Sequence, residues 1–127
     1  MSSTTTESAG NAARYLKISI RDPIKSTDAF GQFVCYNVES SSNIPGFVYG
    51  EVAVIRRYSD FAWLAEQLSK ACPGAIIPAL PDKQAVGRFQ ADFVETRRRA
   101  LERFLLRVAA HVELNVVPAF YCILTSQ

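Results

Sequence analysis

The chain has 127 residues, enough for one domain around a single hydrophobic core and little more. A composition of 49% hydrophobic and 20% charged residues excludes wholesale disorder, and 14 Lys and Arg against 12 Asp and Glu are too balanced to argue for nucleic acid. No apolar run approaches the ~20 residues of a spanning helix and none follows Met1 as in a signal peptide, so the expectation is a cytoplasmic protein that meets a membrane only with its surface.

Residues 2–8 are almost all Ser and Thr and have nothing to bury, so 1–12 read as a disordered tail and 13–127 as the folded domain. Leu16, Ile18 and Ile20 alternate with Tyr15, Lys17, Ser19 and Arg21, which predicts a half-buried strand that Asp22-Pro23 ends. Phe30–Glu39 carries Val34, Tyr36 and Val38 at period two and predicts a second strand, followed by a loop over 40–46. Glu51–Tyr58 is apolar on both faces, which predicts a third strand, the most buried of the three.

The period then changes. Ser59 is placed to cap a helix, with Asp60 in its first turn, Phe61, Leu64, Leu68 and Cys72 at helical spacing, and a staple from Tyr58 to Trp63. Pro73-Gly74 stops it, and Ile76–Pro81 is extended by its prolines. A long helix from about Ala91 to His111 and a short one around Pro118–Leu124 complete the chain. The fold class is therefore α+β: a three-stranded antiparallel meander packed against a helical subdomain, with a proline-rich loop between helices.

Little in the chain suits catalysis. His111, the single histidine, falls at a helix end where a cation is favoured, the six glycines are scattered, and the carboxylates show no acid–base pairing. Cys35, Cys72 and Cys122 lie far apart and read as reduced thiols, and neither a metal site nor a cofactor site is visible.

Three features could instead hold an anion. At the end of the third strand stand Arg56, Arg57 and Tyr58; alternation allows only Arg57 to follow Ala53 and Ile55. A guanidinium beside an aromatic ring suits a phosphate on a ring-shaped ligand, although both arginines could equally meet carboxylates. On the long helix, steps of ~100° from Leu101 place Arg97 inside the apolar stripe of Val94, Leu105 and Val108, where it needs either an internal ion pair or an anion in a pocket. Arg98 and Arg99 read as a solvated face. The third feature, Pro78 to Lys83, is a rigid arm presenting Lys83, an SH3 ligand of the P-x-x-P type, or a plain linker.

These features in this order resemble the phox-homology (PX) family over about residues 14–126. Arg-Arg-Tyr-Ser-Asp-Phe at 56–61 is similar to its basic-aromatic signature, and Ile77 with Pro78 to Lys83 fits its hydrophobic-Pro-x-x-Pro-x-Lys loop. Arg56–Leu64 and Phe93–His111 are especially similar to sorting nexins that carry a membrane-bending BAR domain further along, so the chain reads as one module of a longer protein.

The resemblance implies a non-enzymatic module reading phosphatidylinositol 3-phosphate, peripheral on early endosomes and serving protein transport with retromer-type coats or other sorting nexins. It assigns Arg57 to the 3-phosphate, Tyr58 to packing under the inositol, Lys83 to the phosphate leading to glycerol, and Arg97 to the remaining ring hydroxyls. Ala85 and Val86, beyond Lys83, would then make a shallow membrane contact. The rival function is a protein–protein module whose Pro78–Lys83 segment binds SH3 domains.

Overall fold

The structure, a computed structural model, describes residues 15–43, 50–81, 83 and 90–127. The tail expected over 1–12 and most of the 40–46 loop lie outside these residues. Three strands, β1 (Leu16–Asp28), β2 (Gly31–Ser42) and β3 (Glu51–Arg57), form an antiparallel sheet in the order β1-β2-β3. Three helices follow: α1 (Tyr58–Ala71), α2 (Ala91–Ala110) and α3 (Pro118–Thr125). The expected meander and helical layer are both present.

β1 does not stop at Pro23. It breaks register between Arg21 and Ile24, with Asp22 in the left-handed region at φ 53°, and then pairs with β2 as far as Asp28. A proline lacks the N–H that a ladder needs, and a bulge is where the ladder forgoes one. The bulge therefore lengthens the β1–β2 hairpin by the segment that leads to Asp28 and Phe30.

Register sets the core. Ile20, Val38 and Val54 lie side by side across the sheet and are all buried, on the face that the helices cover. Phe61, Leu64 and Leu68 of α1 and Leu101, Phe104, Leu105 and Val108 of α2 meet the same core, as their spacing predicts. α2 lies on β1, while α3 packs on α1 and β3.

The opposite face of the sheet is open, which corrects the reading of β3 as the most buried strand. β3 is an edge strand whose Ala53 is exposed and whose Ile55 is 56% exposed. Apolar residues on both faces would suit a central strand between two layers, but helices cover only one side here.

Alternation also separates the paired arginines. Arg56 turns to the helical side and donates from Nε to the Ile123 carbonyl at 2.8 Å, and from Nη2 to the carbonyls of Cys122 and Ser126. It thereby closes the C-terminal end of α3, where backbone carbonyls lack partners and a cation suits the helix dipole. Arg57 turns the other way.

Two helix termini differ from expectation. The N-cap of α1 is Arg57, whose N–H donates to Asp60 Oδ2 at 2.8 Å; Ser59 is exposed within the first turn. Tyr58 is thus the first helical residue, a position from which it cannot act as the residue that staples from before the cap. His111 follows the end of α2, and its Nδ1 accepts the N–H groups of Glu113 and Leu114 at 3.1 and 3.3 Å. The ring acts there as an acceptor that shapes the turn, not as a cation on the helix dipole.

Candidate functional site

The site forms where the tip of the β1–β2 hairpin, the end of β3, the start of α1 and the N-terminal half of α2 converge. A cavity of about 300 Å³ opens there, and Arg57, Tyr58, Lys83 and Arg97 all line it, together with Asp28 and Phe30. Four side chains that sequence reading separated by up to 40 positions are thus brought together.

Arg57 ends β3 with its backbone held by the Asp60 cap. Its guanidinium carbon lies 3.7 Å from the centroid of the Phe33 ring, and Nη1 donates to Asp28 Oδ2 at 3.0 Å. Stacking on a flat ring leaves the N–H edge of the fork pointing outward, and that edge makes paired bonds to oxyanions. Asp28 also accepts the Phe30 N–H through Oδ1 at 2.8 Å. The Phe30 N–H first, and the Arg57 guanidinium second, hold its carboxyl below the usual carboxylate range.

Arg97 is buried, as its place in the apolar stripe of α2 predicts, and only 9% of it is exposed. Its guanidinium carbon lies 4.4 Å from the Tyr58 ring centroid and 4.7 Å from that of Phe93. Two aromatic faces therefore offset part of the cost of burying this charge. Tyr36 lines the cavity from β2, and burial pushes its phenol up while the Arg97 charge pulls it down.

Lys83 stands exposed at the cavity, at the end of the proline arm. The arm is tied down on both sides. Ile77 and Leu80 pack against the core, and the Tyr58 hydroxyl donates to the Pro81 carbonyl at 2.6 Å. Pro78 and Pro81 are themselves half-buried. Ala85 and Val86, expected to touch the membrane, lie outside the described residues.

Sequence reading missed three contributors. Asp28 and Phe30 belong to a hairpin segment that the Asp22-Pro23 stop left unassigned. Phe30 is 97% exposed at the hairpin tip, the most exposed large apolar residue among those described. Arg98, expected in a solvated face, has a side chain only 21% exposed; it pairs with Glu95 at 2.8 Å and donates to the Ile20 carbonyl at 2.7 Å. Glu102 accepts the Ile20 N–H at 2.9 Å, so α2 grips both polar groups of one β1 residue next to the bulge. Arg99 is exposed as expected and bonds Glu95.

A three-stranded meander covered by helices, with a two-arginine aromatic pocket at their junction, defines the class of a compact α+β binding module. The sequence matches the family model described as PX domain over residues 44–127. The chain is 44% identical to Sorting nexin 1 of Arabidopsis thaliana over 103 residues, covering 80% of this chain and 26% of that protein. It is 39% identical to Sorting nexin-7 of Homo sapiens over 116 residues, covering 88% of this chain and 30% of that protein.

Among solved structures, a designed CISK-PX domain superposes with a TM-score of 0.70 at 30% identity, over 87% of this chain and 99% of that one. The mouse SNX19 PX domain with bound sulphate ion gives 0.66 at 20% identity, over 91% and 100%, which speaks for the fold alone. The chain belongs to the PX-domain family. It spans 26–30% of the length of the two sorting nexins, so it corresponds to one module of proteins of that size. PX domains and sorting nexins are non-enzymatic, lipid-binding modules of membrane trafficking, and this homology makes the domain a phosphoinositide-binding module of that kind. No helix of the described residues is long and apolar enough to cross a membrane, in keeping with the peripheral association of sorting nexins.

Proposed function

We propose that the domain reads phosphatidylinositol 3-phosphate on early endosomal membranes and so directs a longer sorting protein to them, alongside coat proteins or other sorting nexins. The observation that carries this reading is the convergence of Arg57, Tyr58, Lys83 and Arg97 on one cavity. Arg57 takes the 3-phosphate with its outward N–H edge, and Tyr58 packs against the inositol ring. Lys83 meets the phosphate that leads to glycerol, and Arg97 takes the remaining hydroxyls from the cavity wall.

Binding proceeds by charge and shape. Each charge-assisted bond to phosphate contributes about 1.5–3 kcal/mol net, and each basic residue near an anionic surface about 1 kcal/mol more. Phe30 supports the membrane orientation, because this exposed aromatic ring stands on the rim of the same cavity. An apolar ring beside a headgroup site is suited to the interfacial region of a bilayer.

The SH3-ligand reading draws less support. A polyproline groove needs both prolines presented freely, whereas Pro78 and Pro81 are half-buried and the Pro81 carbonyl is bonded to Tyr58. Liposome flotation across all the phosphoinositides, with wild type and Arg57→Gln, tests the proposal. Capture of wild type by phosphatidylinositol 3-phosphate vesicles, lost in the variant without a change in melting temperature, supports it. Equal capture of both proteins overturns the assignment of Arg57.

A further inference from the structure

Asp28 is an acidic residue inside a pocket otherwise built for an anion. Its Oδ2 holds Arg57 Nη1 at 3.0 Å, on the guanidinium edge left outward by the Phe33 stack. A phosphate approaching Arg57 therefore competes with a carboxylate already bonded there. Asp28 is also unable to swing clear, because its Oδ1 is held by the Phe30 N–H at 2.8 Å within the tight hairpin turn. After yielding the guanidinium, its charge stays within the lining of the cavity.

Resting on the headgroup reading above, we propose that Asp28 is a specificity-determining residue: a resident anion on Arg57 that only a phosphomonoester displaces. The reason is one of charge. A phosphodiester, such as the linkage in phosphatidylserine or unphosphorylated phosphatidylinositol, carries a single negative charge. Exchanging one single charge for another gains little at Arg57, and the displaced carboxylate then repels the newcomer. A phosphomonoester carries about −1.5 to −2 at neutral pH and presents three acceptor oxygens, so it outbids the carboxylate for the guanidinium fork. Asp28 thus suppresses capture by the abundant anionic lipids that surround a scarce headgroup.

Asp28→Asn is the discriminating variant, since the amide oxygen preserves the acceptor for the Phe30 N–H while the charge is removed. Binding of soluble inositol 1,3-bisphosphate is measured by calorimetry, and capture by vesicles of phosphatidylcholine with phosphatidylserine and phosphatidylinositol by flotation. The expected result is an affinity about three- to fivefold higher for the bisphosphate, the scale of one partly exposed ion pair. Capture by the vesicles that contain only diesters should rise with it, at an unchanged melting temperature.

An Asn variant that matches wild type on both ligands overturns the proposal. So does one that binds the bisphosphate more weakly, which makes Asp28 a positioning residue for Arg57. If wild type binds no bisphosphate and the variant does, the resident anion is confirmed in its strongest form. If neither protein binds bisphosphate, the headgroup reading and this proposal fall together, whereas failure of the Asn variant alone leaves the headgroup reading standing.

Discussion

The Arg97 guanidinium carbon lies 4.4 Å from the ring centroid of Tyr58, so α2 meets the first residue of α1 through a cation and an aromatic face. That contact joins two functional side chains and also explains how a charge is tolerated at 9% exposure. Arg97→Leu should abolish headgroup binding and keep the fold. A leucine suits the stripe of Val94, Leu101 and Val108, and its gain in burial offsets the lost cation–π contacts of about 1–2 kcal/mol. Thermal denaturation should show a shift of less than about 5 °C, what roughly 1 kcal/mol produces in a domain of this size. A loss of several kcal/mol would assign Arg97 to the fold instead.

Phe30 separates membrane contact from headgroup recognition. Full burial of a phenylalanine side chain is worth about 1.5–3 kcal/mol, so Phe30→Ala should weaken binding to phosphatidylinositol 3-phosphate vesicles by about tenfold or more. Affinity for soluble inositol 1,3-bisphosphate should stay as it was, which calorimetry reads directly. Equal losses in both assays would make Phe30 a part of the pocket, and no loss in either would leave it an ordinary exposed residue.

The arginines of α2 show where sequence was sufficient. Arg97 was legible because helical periodicity alone puts it in an apolar stripe. Arg57 was legible because strand alternation separates it from Arg56. Arg98 was not, since its partner is the Ile20 carbonyl, 78 residues away and beside a bulge that no local pattern announces. Asp28 and Phe30 were hidden by the same bulge, as Pro23 reads as a strand end to any rule of pairing. β3 misled in the other direction, because an apolar residue on each face says nothing about how many layers the sheet carries.

The Arg98–Glu95–Glu102 grip on Ile20 belongs to the fold and should respond to stability measurements alone. Arg98→Ala removes the donor to a part-buried carbonyl and should cost about 1–3 kcal/mol in urea denaturation, with lipid binding intact. Its hydrogen bond to Arg98 is the main reason that Glu95 is held down at about 2 from an ordinary 4.5. A carboxylate with a depressed folded-state value contributes stability that is present above the unfolded value and lost as pH falls through the folded one. Wild type should therefore lose this contribution between about pH 4.5 and pH 2, and Glu95→Gln should lack that part of the acid limb. Superimposable acid limbs would contradict the assignment.

Tyr58 ties the arm of Lys83 to the helix through its hydroxyl on the Pro81 carbonyl. Tyr58→Phe keeps the ring beside Arg97 and frees the arm, so headgroup affinity should drop about two- to fivefold, the scale of one hydrogen bond near 1 kcal/mol. Pro78→Ala should act in the same direction by adding flexibility to the same segment. Full loss of vesicle binding in Pro78→Ala, with Arg57→Gln unaffected, would favour the polyproline reading.

The central claim is that one headgroup is held by four side chains from four parts of the chain. Amide NMR of the wild-type domain titrated with soluble inositol 1,3-bisphosphate tests it most directly. Arg57, Tyr58, Lys83 and Arg97 should shift together along one saturable curve, and Arg57→Gln should remove the response. If these amides fail to move as a set, while an added SH3 domain shifts Ile77–Lys83, the phosphoinositide reading is wrong and the proline arm is the binding element.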